Sequence, residues 1–240
     1  MTSTPVFHSE WIKIRTLRSQ VAALAMIPVV TALFSALASS DTGGDDFDPL
    51  FSVFFGVTFG QIAAIALGTT AVSSEFQGGA LRLTLAAVPH RGRWFAAKAA
   101  AVAVPVFAVG LVTGVVTLAV GKAVLGTKFD GLDWAEQVRG VVGCAVYLTL
   151  MALLAAGLTA VLRSGVATLS ILVPFLLIVS FVIGDASSGV ADLLPERAGQ
   201  VAFHETWGGA MGPWTGLGVT ALWAAAALAA GAWSVRRRDA

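Results

Sequence analysis

Long apolar stretches alternate with short polar gaps along the chain. Six such stretches lie at about residues 19–39, 51–73, 99–124, 140–162, 166–184 and 213–235. A helix needs about 20 apolar residues to cross the roughly 30 Å hydrocarbon core of a bilayer. The runs are continuous, whereas the strands of a membrane barrel would alternate apolar and polar positions. The pattern therefore predicts an all-α integral membrane protein, with six transmembrane helices in a single domain, residues 1–240.

Composition agrees with this prediction. Apolar side chains make up 57% of the 240 residues and charged ones 12%, and the mean hydropathy is +0.83. These values are too apolar for an ordinary soluble domain. The single cysteine, Cys144, excludes an intramolecular disulfide and a cysteine metal site.

Basic residues collect in alternate gaps between the stretches. These gaps hold only three of the 14 acidic residues. They hold eleven of the 15 Lys and Arg residues: Lys13, Arg15, Arg18, Arg82, Arg91, Arg93, Lys98, Arg163, Arg236, Arg237 and Arg238. Because basic loops stay in the cytoplasm, we expect these gaps, and with them both termini, to be cytoplasmic. The formal net charge is only +1, so no basic surface for nucleic acid is indicated.

The start of the chain predicts a helix on the inner membrane surface. Residues 5–18 place apolar and basic side chains at helical spacing, with Trp11, Lys13 and Arg15 as the interfacial residues. A basic front followed by Ala-Leu-Ala at 36–38 also resembles a cleavable signal peptide, and cleavage would leave five spans. The long amphipathic front favours retention of the first span.

The inner segment 74–98, between the second and third stretches, predicts a short helix held by turns. The glycine pair at 78–79 can end the preceding helix, residues 80–88 can form a short helix, and Pro89 can stop it. Such a helix, lying parallel to the membrane, can transmit the movement of a cytoplasmic partner to two spans. The alternative is a basic loop that only sets orientation. The outer segment 185–212 is moderately apolar, so we expect it to fold at the outer interface.

The predicted spans carry hydroxyl and amide groups but no Asp, Glu, Arg or His in their interiors. Ionisable residues mark proton and ion pathways in membranes, so their absence argues against a proton-driven carrier. The candidates for a polar pathway are Thr58, Gln61, Thr69 and Ser170. Hydroxyls of this kind more often form hydrogen bonds between helices than contacts with a substrate.

Motifs for catalysis or cofactor binding are incomplete. Gly121-Lys122 lacks the first glycine of a P-loop, since Val116 stands there. His204-Glu205 begins a zinc-protease pattern, but Gly208 takes the place of the second histidine. The acidic loop 41–48 lacks the spacing of an EF-hand. We therefore expect no catalytic residue, cofactor or metal in this chain, and a membrane enzyme is unsupported.

Several of these features together resemble the type-two permease family, the membrane subunits of bacterial ABC exporters. The length and the six spans are similar throughout, and Ala80 replaces the usual threonine. The similar residues are Ser9-Glu10-Trp11, Lys13 and Arg15 before the first span; Glu75-Phe76, Gly79, Arg82, Leu85, Val88-Pro89, Arg91 and Ala97-Lys98 in the inner segment; and Leu194-Pro195 and Ala198-Gly199 in the last outer segment.

The resemblance implies a permease in the bacterial plasma membrane that pairs with a second copy or a paralogue. It also implies separate cytoplasmic ATPase subunits, which would bind ATP and Mg²⁺ in place of this chain. The interfacial helix and the inner segment would contact the ATPase, and spans two and five would line the route. The coupling residues would be Glu75, Gly79, Arg82, Arg91 and Arg93. A non-transporting scaffold or sensor subunit remains an alternative, and the substrate is open.

Overall fold

The structure, a computed structural model, describes residues 9, 11–13, 15–40, 47–77, 90–176, 191–206 and 211–237. Within these ranges all regular structure is helical, without a strand. Helical stretches long and apolar enough to cross a membrane are Arg18–Ser40, Pro49–Phe76, Arg91–Gly131, Trp134–Leu162 and Pro213–Arg237. The fold is therefore that of an α-helical, multi-pass membrane protein.

Eight helices are labelled here in chain order. They are α1 (Arg18–Ser40), α2 (Pro49–Phe54), α3 (Val57–Ser73), α4 (Arg91–Leu125), α5 (Trp134–Leu162), α6 (Gly165–Pro174), α7 (Pro195–Gln200) and α8 (Pro213–Arg237). Short 3₁₀ turns cover Ser74–Phe76, Gly126–Gly131, Ala191–Leu193 and Val201–Phe203. Residues 9, 11–13, 15 and 16 are also helical, which agrees with the helix expected within residues 5–18.

Most expected spans coincide with helices, but the helix of the third begins eight residues before the expected span. The first, second, fourth and sixth correspond to α1, α2 with α3, α5 and α8, whereas α4 starts at Arg91 and not at residue 99. Residues 91–98 therefore form the first two turns of α4 and do not belong to a separate loop. Charged side chains there had suggested an aqueous segment, yet Lys98 is buried in an ion pair. For the fifth expected span, α6 ends at Pro174 and residues 177–184 lie outside the described ranges.

Polar side chains fix the ends of several helices. The Asp48 carboxylate accepts a hydrogen bond from the backbone N–H of Phe51 at 2.9 Å, which caps α2. At the start of α5, Asp133 and Glu136 form a reciprocal capping box. Arg163 ends α5 in a left-handed conformation, with φ of 55°. Its αL geometry turns the chain sharply into α6.

Helix α5 lies at the centre of the bundle and packs against α3, α4 and α8. Glycines allow backbones to touch at these crossings. A Cβ added at Gly68 would overlap the carbonyl oxygen of Ala152, one at Gly110 would meet Ala145, and one at Gly157 would meet Ala227. Helix association in lipid depends on such van der Waals contact, because lipid tails are as apolar as the helix surfaces.

Helix α1 lies at the edge of the bundle, against α3 and α4. Its outer face exposes large apolar side chains at helical spacing, including Val29 at 59%, Leu33 at 57% and Leu37 at 59%. An apolar stripe of this kind would be unfavourable in water but is suited to contact with lipid.

The substitution Gly68→Ala should weaken the contact between α3 and α5. The added methyl group would overlap the Ala152 carbonyl, so the two backbones must separate. We expect the free energy of unfolding to fall by about 1–3 kcal/mol. The matched control is Gly218→Ala, because nothing lies within 4 Å of its added carbon. Thermal unfolding in detergent micelles measures both, and equal midpoints would contradict this packing.

Candidate functional site

Glu75 connects three segments at the end of the bundle that carries the basic residues. The 3₁₀ turn after α3 places its carboxylate, which is 4% exposed, between two lysines. Glu75 Oε1 lies 2.8 Å from the Nζ of Lys13 and 2.7 Å from the Nζ of Lys98. The Glu75 network, defined here as these three residues, therefore joins the N-terminal helical segment, the end of α3 and the first turns of α4.

The two ion pairs of the Glu75 network differ in burial. The Lys98 side chain is 3% exposed, whereas that of Lys13 is 42% exposed. Removing one partner of a buried pair leaves the other charge uncompensated, which typically costs about 3–5 kcal/mol. An exposed pair contributes less, since water and salt screen it. The Lys98 pair therefore fixes α3 to α4, while the Lys13 pair is the more easily broken contact.

Aromatic side chains surround this network. The Lys98 ammonium lies 6.0 Å from the ring centroid of Trp94, which is wholly buried. The Arg163 guanidinium lies 5.6 Å from the ring centroid of Phe76, next to Glu75 in sequence. Cations near aromatic faces are stabilised by the ring quadrupole. Through Arg163, the turn between α5 and α6 also contacts this end of α3.

The other residues expected to couple with a partner are placed differently. Arg91 donates from Nη1 to the backbone oxygen of Val235 at 3.1 Å, so it ties the start of α4 to the end of α8. Arg93 is exposed. Gly79 and Arg82 lie outside the described residues. In the N-terminal segment Trp11 is half-buried and Arg15 is exposed.

A second polar cluster lies inside the bundle, among α3, α5 and α7. Gln61 donates from Nε2 to Glu196 Oε1 at 2.8 Å, and the Tyr147 hydroxyl donates to Gln61 Oε1 at 2.5 Å. Gln200 donates from Nε2 both to Glu196 Oε1 and to Thr58 Oγ1, at 3.2 Å each. Gln61 and Tyr147 are fully buried and Glu196 is 4% exposed. These five residues are called the Glu196 cluster below.

The segment that carries Glu196 folds back into the bundle. An added Cβ at Gly216 of α8 would overlap the carbonyl oxygen of Ala198 in α7. The Thr220 hydroxyl of α8 donates to the backbone oxygen of Pro195 at 2.8 Å, and the Trp223 indole donates to that of Leu193 at 2.9 Å. Residues 191–203 therefore lie beside the first turns of α8. Residues 191–203 of the segment 185–212 are thus folded, whereas its expected position at the outer interface stays a prediction.

Sequence reasoning missed the burial of Glu196 and counted it among the outer acids. No predicted span contains an acidic residue in its interior, yet α7 carries a carboxyl group into the bundle. Helix α7 places the carboxyl group of Glu196 against Gln61 of α3. Two signals were available, namely the small residues around Glu196 and the amide of Gln61, which needs a polar partner when buried.

Two of the four expected pathway residues belong to the Glu196 cluster, Thr58 and Gln61. Thr69 is fully buried further along α3, beside the start of α6. Ser170 is exposed on α6. The structure therefore brings Thr58 and Gln61 together and leaves Thr69 and Ser170 apart from them.

At the opposite end of the bundle, Asp48 holds the segment that carries His204 against α2. Its Oδ2 lies 3.1 Å from His204 Nδ1 and accepts from the backbone N–H of Glu205 at 3.0 Å. The His204 ring stacks on Phe51 at 4.4 Å, and Arg139 donates to the His204 carbonyl at 2.7 Å. Burial raises the pKa of Asp48, but the hydrogen bonds from His204 and the backbone outweigh it and hold this pKa below its ordinary value.

Comparison with known proteins assigns no family to the chain. No protein-family model matches the sequence, and no curated protein gives a significant match. In the described ranges, no three His, Cys, Asp or Glu side chains are grouped so that they could hold a metal ion. The function is therefore inferred from the residues and their geometry.

The substitution Tyr147→Phe tests the Glu196 cluster. It removes the hydroxyl that donates to Gln61 Oε1 and leaves a buried acceptor without that donor. We expect the free energy of unfolding to fall by about 1–2 kcal/mol. In a Gln61→Leu background the same substitution should cost clearly less, because this acceptor is already gone. Reversible unfolding of the four variants measures the coupling, and equal costs in both backgrounds would rule out this hydrogen bond.

Proposed function

We propose that this protein is the membrane-spanning permease subunit of an ATP-driven exporter in the bacterial plasma membrane, of the type-two ABC class. It works as a dimer with a second copy or a paralogue, and separate cytoplasmic ATPase subunits supply the ATP hydrolysis. Six spans and two cytoplasmic termini belong to this proposal. The observation that supports it most directly is the Glu75 network, which joins three segments where a cytoplasmic partner would dock.

The distribution of charge supports the proposed orientation. One end of the bundle carries the Glu75 network, Arg91 and Arg163, whose side chains connect neighbouring helices. Asp48 and Glu205 lie at the other end. Basic residues favour the cytoplasmic side of a membrane, so the basic end faces the cytoplasm in this proposal.

The Glu75 network would make two spans respond together to a partner. Residues 78–89 connect Glu75 at the end of α3 with the start of α4, and the buried Lys98 pair fixes these two helices to each other. A force on the connecting residues, which include Gly79 and Arg82, would therefore displace α3 and α4 as a unit. Lys13 adds the N-terminal helical segment to that unit. Arg91 extends it to the end of α8.

The Glu196 cluster includes polar side chains of α3, which is the span that the resemblance assigns to the transport route. Its hydrogen bonds connect α3 with α5 and with the folded-back segment. A displacement of α3 would have to break these hydrogen bonds or move α5 and the folded-back segment with it. In the proposed exporter the cluster therefore restrains α3 until the ATPase moves it.

Charge reversal at Arg82 tests the proposed coupling. In a co-expressed complex, Arg82→Glu should reduce the amount of ATPase subunit that copurifies with the tagged chain by about tenfold, because a like charge would meet the partner's acidic groups. Lys122→Glu is the matched control, since Lys122 is exposed near the opposite end of α4. Quantitative mass spectrometry of the purified complex gives the ratio. Equal retention in both variants contradicts the coupling site, and no ATPase with the unmodified chain favours a scaffold or sensor.

Single cysteines test the proposed orientation. The native Cys144 is fully buried, so it gives little background with a water-soluble maleimide. In intact cells, Gly131→Cys at the acidic end should be labelled, whereas Arg93→Cys at the basic end should react only after permeabilisation. Both positions are exposed, so accessibility within the protein does not separate them. Labelling of Arg93→Cys in intact cells would show the reverse orientation.

A further inference from the structure

A cleft of about 610 Å³ lies at the basic end, between the start of α4 and the end of α8. His90, Arg91, Gly92, Arg93, Ala96 and Arg236 line it. Among these six described residues three are arginines and none is acidic. Guanidinium groups bind phosphate oxygens with paired, charge-assisted hydrogen bonds. The lining therefore suits a phosphate group.

The backbone places these arginines from two different helices. An added Cβ at Gly92 would lie 2.6 Å from Nη2 of Arg236, so the absence of a side chain there lets the guanidinium of Arg236 cross the start of α4. Arg91 fixes the end of α8 through the carbonyl of Val235, 3.1 Å from its Nη1. Arg93 is exposed at the mouth of the cleft. The site therefore exists only where the two helices meet.

The cleft opens onto a face of α4 that is suited to lipid. Ala96, Ala100, Val104 and Phe107 are exposed and follow Arg93 at spacings of three or four residues, so they form one stripe along the helix. Val104 is 49% exposed and Phe107 39% exposed. An acyl chain can lie along this stripe while its headgroup sits among the arginines. A soluble anion would make no use of the apolar stripe.

The membrane–water boundary falls at the same height on α8. Trp233 is 55% exposed, and the guanidinium of Arg237 lies 4.8 Å from its ring centroid. Exposed tryptophan beside a basic residue is typical of the headgroup region. The cleft, which includes the adjacent Arg236, therefore lies at the depth of lipid phosphates.

We propose that this cleft binds the phosphate of an anionic phospholipid, with one acyl chain along the α4 stripe. The bound lipid would connect the start of α4 with the end of α8, beside the Glu75 network. This proposal rests on membrane insertion alone and does not require an ATPase partner. Its test can therefore fail or succeed independently of the proposed exporter function.

The substitution Arg93→Gln tests the site in the full-length protein, reconstituted in vesicles of phosphatidylcholine with a minor fraction of spin-labelled phosphatidylglycerol. The measurement is the relative association constant of phosphatidylglycerol over phosphatidylcholine. Loss of the charge-assisted hydrogen bonds from one guanidinium group to the phosphate should lower this constant about tenfold. Arg93→Lys should retain part of the association constant, because lysine keeps the positive charge and loses only the paired hydrogen bonds of the planar guanidinium group.

Two further variants distinguish a defined lipid site from a general attraction of anionic lipid to basic residues. Arg18→Gln removes an exposed arginine of the same end that does not line the cleft, and it should leave the association constant nearly unchanged. Gly92→Val keeps every charge but fills the cleft beside Arg236, and it should lower the constant as Arg93→Gln does. Equal losses in Arg18→Gln and Arg93→Gln, or full binding by Gly92→Val, would overturn the proposal.

The remaining comparisons identify the occupant. Glycerol phosphate at millimolar concentration should not displace the spin-labelled lipid, because it lacks the acyl chain; displacement would show a site for soluble phosphates. If Arg93→Gln leaves the lipid association constant unchanged, this arginine does not hold the phosphate and the lipid proposal is wrong.

Discussion

Close backbone contact around α5 is the constraint on which the rest of the bundle depends. Apolar surfaces gain little from leaving lipid for one another, so helices in a bilayer associate where small residues let their backbones touch. Gly68, Gly110 and Gly157 provide such contacts to α5 on three sides. With these crossings fixed, the ends of α3, α4 and α8 come close enough for their polar side chains to pair.

The two buried carboxylates are stabilised by different chemistry. Glu75 pairs with two lysine ammonium groups, one buried and one partly exposed. Glu196 accepts hydrogen bonds from two neutral amides, Gln61 and Gln200. A buried ion pair loses much of its Coulombic gain to desolvation, and its benefit is mainly a defined geometry. The Glu75 network therefore specifies how α3 and α4 are aligned, while the Glu196 cluster specifies where the folded-back segment sits.

The sequence predicted the helices better than their polar contacts. Long apolar runs determine where a helix can cross lipid, so α1, α5 and α8 agree with the expected spans. Helix α4 begins before the expected span because Lys98 counts as polar in a hydropathy pattern, and only its partner in space, Glu75, permits burial. The burial of Glu196 was not predicted for the same reason, since a short helix outside the spans returns to meet Gln61. Hydropathy describes single positions, whereas burial of a charge depends on pairs that are distant in sequence.

Helix α3 connects the two polar groups mechanically. Gln61 lies near its start, and Glu75 follows in the turn at its end. At 1.5 Å per residue these positions are roughly 20 Å apart along the helix axis. A packed helix resists compression, so a displacement of Glu75 along the axis must also displace Gln61. Because Gln61 is bonded to Glu196 and Tyr147, the folded-back segment and α5 would sense a movement that begins at the opposite end of the bundle. In the proposed exporter, a force applied to the residues after α3 would therefore reach the contacts of Gln61 through this helix.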